Sequence, residues 1–304
     1  MRKWIFLLPF VLAACAEKNV TTEPGSANTP AAANQPDLAD AKNKIPFFMT
    51  KPTRTEPAEL VFDTKYDERK PVNYRKNDAM RMSGSASFAP PALKEIAKPA
   101  KKKKAQLYVF DLRQESHGLI NDKPVTWQAD RDWANADLGH EDVIQRERRL
   151  LGDLKVGDKI AGVEIKSIET EESLVRSAGH QYVRLTVTDH VRPTDTQVDL
   201  FIEAVRDLPE NNWVHFHCRA GKGRTTTFMV MYDMLLNAQK DSFDAIIERN
   251  TKLSDDYDVM TIPAETDWKY IYQKERAAFI QEFYNYAKAN PKGAGQYWSK
   301  WGKK

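Results

Sequence analysis

The sequence predicts an α/β fold, a central sheet flanked by helices, and three stretches carry that expectation. Residues 213–216 form an apolar run that suits a buried strand, and residues 226–236 suit a buried helix, with only a short glycine-containing turn between them. Residues 105–110 read as a second core strand, and residues 181–187 alternate well enough to be a third. After the third strand, Pro193 with Thr194 or Asp195 opens a helix whose apolar face is Val198, Phe201, Ile202, Val205 and Leu208.

At 304 residues, with 41% hydrophobic and 10% aromatic content, the chain can bury one large core or two smaller ones. Its first 14 residues read as a secretory signal: Met1, Arg2 and Lys3 precede an apolar stretch at 4–12 that is too short to favour a membrane span. Leu12-Ala13-Ala14-Cys15 then resembles a bacterial lipobox, which would make Cys15 the lipidated mature N-terminus. An ordinary signal cut near Ala14 is the alternative. Export to the periplasmic side of the cell envelope is expected either way, and Ala16, not being aspartate, favours an outer-membrane anchor. Once Arg2 and Lys3 are removed, 44 basic residues face 43 acidic ones. Near balance gives no global field for nucleic acid, so a polyanion has to be met by locally placed residues. Cys218 is the one cysteine besides Cys15, so no intramolecular disulfide framework is expected.

Residues 15–44 are rich in Ala, Asn, Thr and Pro without apolar periodicity and read as a flexible linker. The part up to about residue 78, which carries several prolines, is expected to wrap the surface and holds Arg75. Lys101 to Lys104 read as a solvated edge before the 105–110 strand. Asp111, Arg113, Glu115 and His117 follow that strand at its carboxyl end, where open α/β sheets bind ligands. Residues 141–154 suit a charged amphipathic helix. Ile160, Val163, Ile165, Ile168, Leu174 and Val175, set between turn residues, read as short antiparallel strands. Residues 267–289 suit a long helix with Trp268, Ile271, Tyr272, Phe279, Phe283 and Tyr286 on its apolar side. Lys269 and Arg276 are seven apart, within about 20° around the axis, at the margin of that apolar arc.

The turn between strand and helix carries the chemistry. Gly221 and Gly223 allow backbone conformations closed to other residues, so successive N–H groups can face one concavity, and the helix that starts near Arg224 adds its positive end. Arg224 offers a planar fork to two phosphate oxygens. In that field Cys218 is expected to ionise below the roughly 8.5 of a free thiol, and a thiolate is a competent nucleophile. A thiolate that displaces an alkoxide needs a proton donor. Asp189, in a strand-to-helix loop, is the first candidate. His190 is its rival, and Asp195, Asp255 and Asp256 are more distant ones.

His-Cys-x-x-Gly-x-Gly-Arg-Thr, residues 217–225, resembles the signature loop of the protein-tyrosine-phosphatase superfamily. The wider text, from 111–118 through Thr188-Asp189-His190 to that loop, resembles the bacterial cysteine phytases, which remove phosphates from inositol polyphosphates. The likeness spans about residues 70 to 290. It implies a phosphatase domain over residues 45–304 with a protein-tyrosine-phosphatase-like core and a small β-barrel-like insertion at about 140–180. It implies Cys218 as nucleophile, Arg224 as phosphate clamp and Asp189 as acid, with His217 shaping the loop and Thr225 stabilising the departing thiolate. Arg219, Ala220, Gly221, Lys222 and Gly223 would surround the phosphate. His190, Arg75, Lys269 and Arg276 would form an outer ring for a ligand with several phosphates. No cofactor is expected, and the six histidines show no paired metal-ligand spacing. A phosphotyrosine or phosphoinositide phosphatase acting on host or envelope molecules, and an envelope protein that binds polyphosphate without turnover, are the alternatives.

Overall fold

The computed structural model describes residues 49–63 and 69–301. The signal sequence, Cys15 and the linker to residue 44 lie outside the described residues. In chain order the elements are β1 (Glu59–Phe62), β2 (Arg75–Asn77), β3 (Met82–Ser85), α1 (Pro90–Lys102), β4 (Gln106–Asp111), β5 (His117–Ile120), β6 (Lys123–Gln128) and α2 (His140–Gly152). The two-residue strands β7 (Lys159–Ile160), β8 (Val163–Glu164) and β9 (Ile168–Glu169) follow. After them come α3 (Glu171–Ser177), β10 (Gln181–Arg184), α4 (Asp195–Arg206), β11 (Asn212–His217), α5 (Gly223–Asn237), α6 (Phe243–Leu253) and α7 (Tyr270–Ala289).

Period-two alternation along β11 sorts its side chains between two cores. Trp213 packs with Leu107 and Val109 of β4 and with Leu93 and Ile96 of α1. Val214 and Phe216 point the other way, into a cluster with Phe110, Phe201, Ile202, Phe228, Met231 and Phe283. Full burial of each such side chain is worth about 1.5–3 kcal/mol, so β11 is anchored on both faces of the sheet. The sheet runs in the order β10-β4-β11-β3-β2, parallel except for the edge strand β2. Asp111 and Ser85 flank His217 in register, so β3, β4 and β11 all end beside Cys218.

A second, antiparallel sheet has the order β1-β6-β5-β9. Its composition differs from an insertion confined to residues 140–180, because β1, β5 and β6 all come from residues 59–128. Leu174 and Val175 belong to α3 and not to a strand. Thr170 caps that helix by accepting from the Ser173 N–H, and Glu171 and Glu172 occupy its positive end. The cap of α4 is Thr194, in a reciprocal capping box with Gln197; Asp195 instead accepts from the Trp298 indole and pairs with Arg192. Helix α7 starts at Tyr270, and Trp268 and Ile271 are about 40% exposed, 38% and 40%, while Phe279, Phe283 and Tyr286 are buried.

Candidate active site

Residues 218–222 join β11 to α5 and curl around a single sulfur atom. Cys218 is 2% exposed, and its Sγ accepts from the Gly221 N–H at 3.3 Å and the Thr225 hydroxyl at 3.2 Å. Gly221 has φ +71°, and a Cβ there would stand 2.3 Å from the Ala86 nitrogen and 2.4 Å from the Ser85 carbonyl carbon. No other residue fits. Gly223 differs from the expectation: it is the first residue of α5, its φ is not positive, and an added Cβ would meet Arg276 Nη1 at 3.4 Å. The backbone conformation demands one glycine, not two.

Arg224 is aimed by a residue far away in sequence. Its Nη1 and Nη2 donate to the two oxygens of Glu115 at 2.6 and 3.0 Å, and Nη1 also reaches the Val187 carbonyl at 3.2 Å. Nε is left 3.2 Å from Asp189 Oδ1. Burial opposes ionisation of Glu115, but Arg224 and Arg113 outweigh it and hold the carboxyl well below the usual range. Arg113 donates to Glu115 at 3.1 Å and to Thr126 on β6 at 2.6 Å, tying the second sheet to the catalytic loop. Glu115 belongs to the charged cluster visible after β4, but nothing in its local sequence says that it holds an arginine 109 positions away.

Asp189 and His190 sit together on the loop after β10. The His190 N–H donates to Asp189 Oδ1 at 2.9 Å, and the Asp189 carbonyl accepts from the Trp133 indole at 3.0 Å. Burial lowers the His190 pKa; Asp189 works against this, while Arg224, Lys269 and Arg276 add to it, so the neutral imidazole is favoured.

The expected ring of cations divides into two groups. Arg219 donates to Asp63 at 3.0 Å, to Asp132 at 2.6 Å and to Gln128 at 2.9 Å, so it fastens the loop to the second sheet. Burial and the neighbouring Glu115 push the Asp132 carboxyl up to about 6, so the Arg219 contact is fully ionic only above that pH. Arg75 lies behind the loop and donates to the Gly221 carbonyl at 2.5 Å, to the Thr226 hydroxyl at 2.8 Å and to the Asn73 carbonyl at 2.9 Å. Asn73 also reaches the Ala220 carbonyl at 2.8 Å. Arg75 and Arg219, read from the sequence as phosphate contacts, both brace the loop through these bonds, and Arg75 Nε has no partner among the described residues.

Arg276, Lys222 and Lys269 behave otherwise. Arg276 is 3% exposed, its Nε has no hydrogen-bond partner, and among the described residues no carboxylate pairs with it. Lys222 is exposed at the helix entrance, and Lys269 lies 5.3 Å from the Trp268 ring centroid; neither has a carboxylate partner among the described residues.

Beneath the loop lies a buried polar network. His217 Nε2 is 2.6 Å from Glu171, and the ring packs edge-on to Phe88 at 5.0 Å and parallel to His215 at 6.2 Å. Asp111, His117 and Glu171 bring one ligand atom each within 4.8 Å of one another, the one cluster among the described residues whose geometry suits a metal ion. Asp111 Oδ2 already accepts from Tyr182 at 2.6 Å and from Arg184 at 2.8 Å, which accounts for the cluster as an ion network.

A buried thiol that accepts from a loop N–H, beside an aimed guanidinium that a carboxyl approaches, suits the chemistry of a cysteine-dependent phosphatase. The family model of the PTP-like phytases, described as inositol hexakisphosphate, matches residues 139–236. A PTP-like phytase from Bdellovibrio bacteriovorus is 73% identical and superposes with a TM-score of 0.82, covering 84% of this chain and 99% of its own. A PTP-like myo-inositol phosphatase from Mitsuokella multacida, solved with myo-inositol-(1,3,4,5)-tetrakisphosphate, is 31% identical with a TM-score of 0.73, covering 83% of this chain and 50% of its own. The effector protein hopD2 of Pseudomonas syringae pv. tomato is 35% identical over 213 residues, which are 64% of this chain and 46% of that one. This chain therefore spans less than half of that relative. The chain belongs to the PTP-like phytase family, a branch of the protein-tyrosine-phosphatase superfamily.

Proposed function

We propose that the protein hydrolyses phosphomonoesters of inositol polyphosphates, phytate in particular, by way of a phosphocysteine. The observation that carries this reading is Arg276, a buried guanidinium without a carboxylate partner among the described residues, next to a loop that already holds the nucleophile and its arginine. A buried cation of this kind is costly in the free protein and is offset by an anionic ligand. A single phosphate is served by the loop alone; Arg276, Lys222 and Lys269 together suit a ligand with several.

In the first step Cys218 Sγ attacks phosphorus while the loop N–H groups and Arg224 hold the equatorial oxygens. The S–P bond forms, the P–O bond to inositol breaks, and the Asp189 proton goes to the leaving alkoxide. In the second step Asp189 takes a proton from water, the water oxygen bonds to phosphorus, and the S–P bond breaks to return the thiolate. The Thr225 hydroxyl, 3.2 Å from the sulfur, stabilises that departure. His217 supports the loop from below.

The deciding experiment is phosphate release from phytate, a phosphotyrosine peptide and a phosphoinositide, with Cys218→Ser as control. Rapid release from phytate that disappears in the variant is expected. Phytate left inert beside a rapidly cleaved peptide would sink the reading in favour of a protein phosphatase, and no turnover of any ester would favour a binding protein. The lipobox-like Leu12-Ala13-Ala14-Cys15 supports a lipid anchor on the periplasmic face of the envelope. Metabolic labelling with a fatty acid, lost in Cys15→Ala, tests that placement.

A further inference from the structure

We infer that the turn at residues 130–133 sets where the proton donor stands over the phosphate loop, with Trp133 as a positioning residue for Asp189; this rests on the phosphatase reading above. Two adjacent residues of the turn reach two different loops. Asp132 accepts from Arg219 of the phosphate loop at 2.6 Å, and the Trp133 indole N–H donates to the carbonyl of Asp189 itself at 3.0 Å. The turn is thus a short rigid link between nucleophile and acid.

The turn is built at a conformational cost. Arg131 and Asp132 are consecutive non-glycine residues at φ +57° and +59°, a region that such residues keep only where their surroundings hold them there. The holding contacts are present. The Thr55 N–H donates to the Trp133 carbonyl at 3.2 Å, and the Thr55 hydroxyl donates to the Asp130 carbonyl at 2.7 Å. Trp133 is 3% exposed and meets Tyr272 and Trp268 edge-on at 5.3 and 5.7 Å. The Arg131 guanidinium covers Trp268 at 4.3 Å.

The acid loop answers on the other side. His190 is itself at φ +66°, its ring meets Trp268 edge-on at 5.0 Å, and its N–H orients the Asp189 carboxylate. Swinging the loop away would break the indole bond and the His190–Trp268 contact together. Held this way, Asp189 is presented before substrate arrives. Proton transfer to a leaving alkoxide depends on such placement to a fraction of an ångström, whereas an activated aryl leaving group hardly needs the proton.

The test is Trp133→Phe, which keeps a ring between Trp268 and Tyr272 and deletes the N–H. Expected is a fall in kcat of about tenfold on phytate with less than about a twofold change on 2,4-dinitrophenyl phosphate, and a steeper leaving-group dependence across aryl phosphates. Equal losses on both substrates, or no loss on phytate, would overturn the inference. Should Trp133→Phe fail to fold, Thr55→Val decides. It removes one partly exposed hydroxyl bond to the turn, and the same selective loss is expected at about two- to threefold; a uniform loss or none overturns the inference. A parent enzyme that cleaves neither ester defeats the phosphatase reading, an outcome distinct from losses that are merely unselective.

Discussion

Two sets of cations surround Cys218, and they differ in what they touch. Arg113, Arg219 and Arg224 have carboxylate partners at 2.6–3.1 Å, and Arg75 donates through its two terminal nitrogens to carbonyls and a hydroxyl while its Nε has no partner among the described residues. Arg276, Lys222 and Lys269 have no carboxylate partner among the described residues. The first set is committed to geometry and the second is open to a ligand. Charge near a catalytic loop therefore says little about substrate until its counter-ions are known.

The largest expected effect breaks the committed set. Glu115→Gln leaves Arg224 and Arg113 short of their shared counter-ion in a site that excludes water, and should cost about 3–5 kcal/mol in urea unfolding. A cost below about 1 kcal/mol would mean that pairing is not what holds these arginines. Next is the carboxyl between the two sets. Asp189→Asn should lower kcat on phytate by about 100-fold and much less on an activated aryl phosphate; equal losses count against its role as acid.

A smaller effect is expected from the open set. Arg276→Met should raise KM for phytate by about tenfold, change KM for a monophosphate ester little, and leave stability unchanged or raised by about 1 kcal/mol. Loss of stability instead would show that Arg276 belongs with the braces.

The smallest effect is a slope with pH that belongs to the committed network. Burial and the nearby Arg113 and Arg184 act against protonation of His117, but Asp111 and Glu147 prevail and its pKa is raised. Its charged form adds stability that is fully present below about pH 6.5 and is lost as pH rises through the folded pKa. Asp111 and Glu115 work in the opposite sense. Burial opposes their ionisation, yet Arg184 and His117 for the one and Arg224 and Arg113 for the other hold both pKa values low. Their contribution is present above about pH 4 and fades as pH falls through the folded values. Unfolding free energies of the parent and His117→Asn should therefore differ most below about pH 6.5 and converge as pH rises through the raised folded value. Parallel curves would remove His117 from the account.

The catalytic loop was legible in the sequence because its chemistry is local. Cys218, Gly221, Arg224 and Thr225 all lie within residues 218–225, and the apolar runs on either side suit a buried strand and a buried helix. The core sheet was legible for the same reason: the apolar run of β11, the core strand β4 and the alternation that leads into β10 are written residue by residue. The second sheet was misplaced because β1 pairs with β6 across more than 60 residues, Leu60 opposite Trp127, and nothing local in either strand names its partner.

Local order was thus enough to give the family and the place of the loop that joins β11 to α5. Which cations lack a carboxylate partner among the described residues emerged from the fold. Arg219 meets Asp63 156 positions away and Asp132 87 positions away, and Arg224 meets Glu115 at 109. Pairing of charges is a property of distance in space, falling off within a few ångströms, and nothing in the local order of residues encodes it.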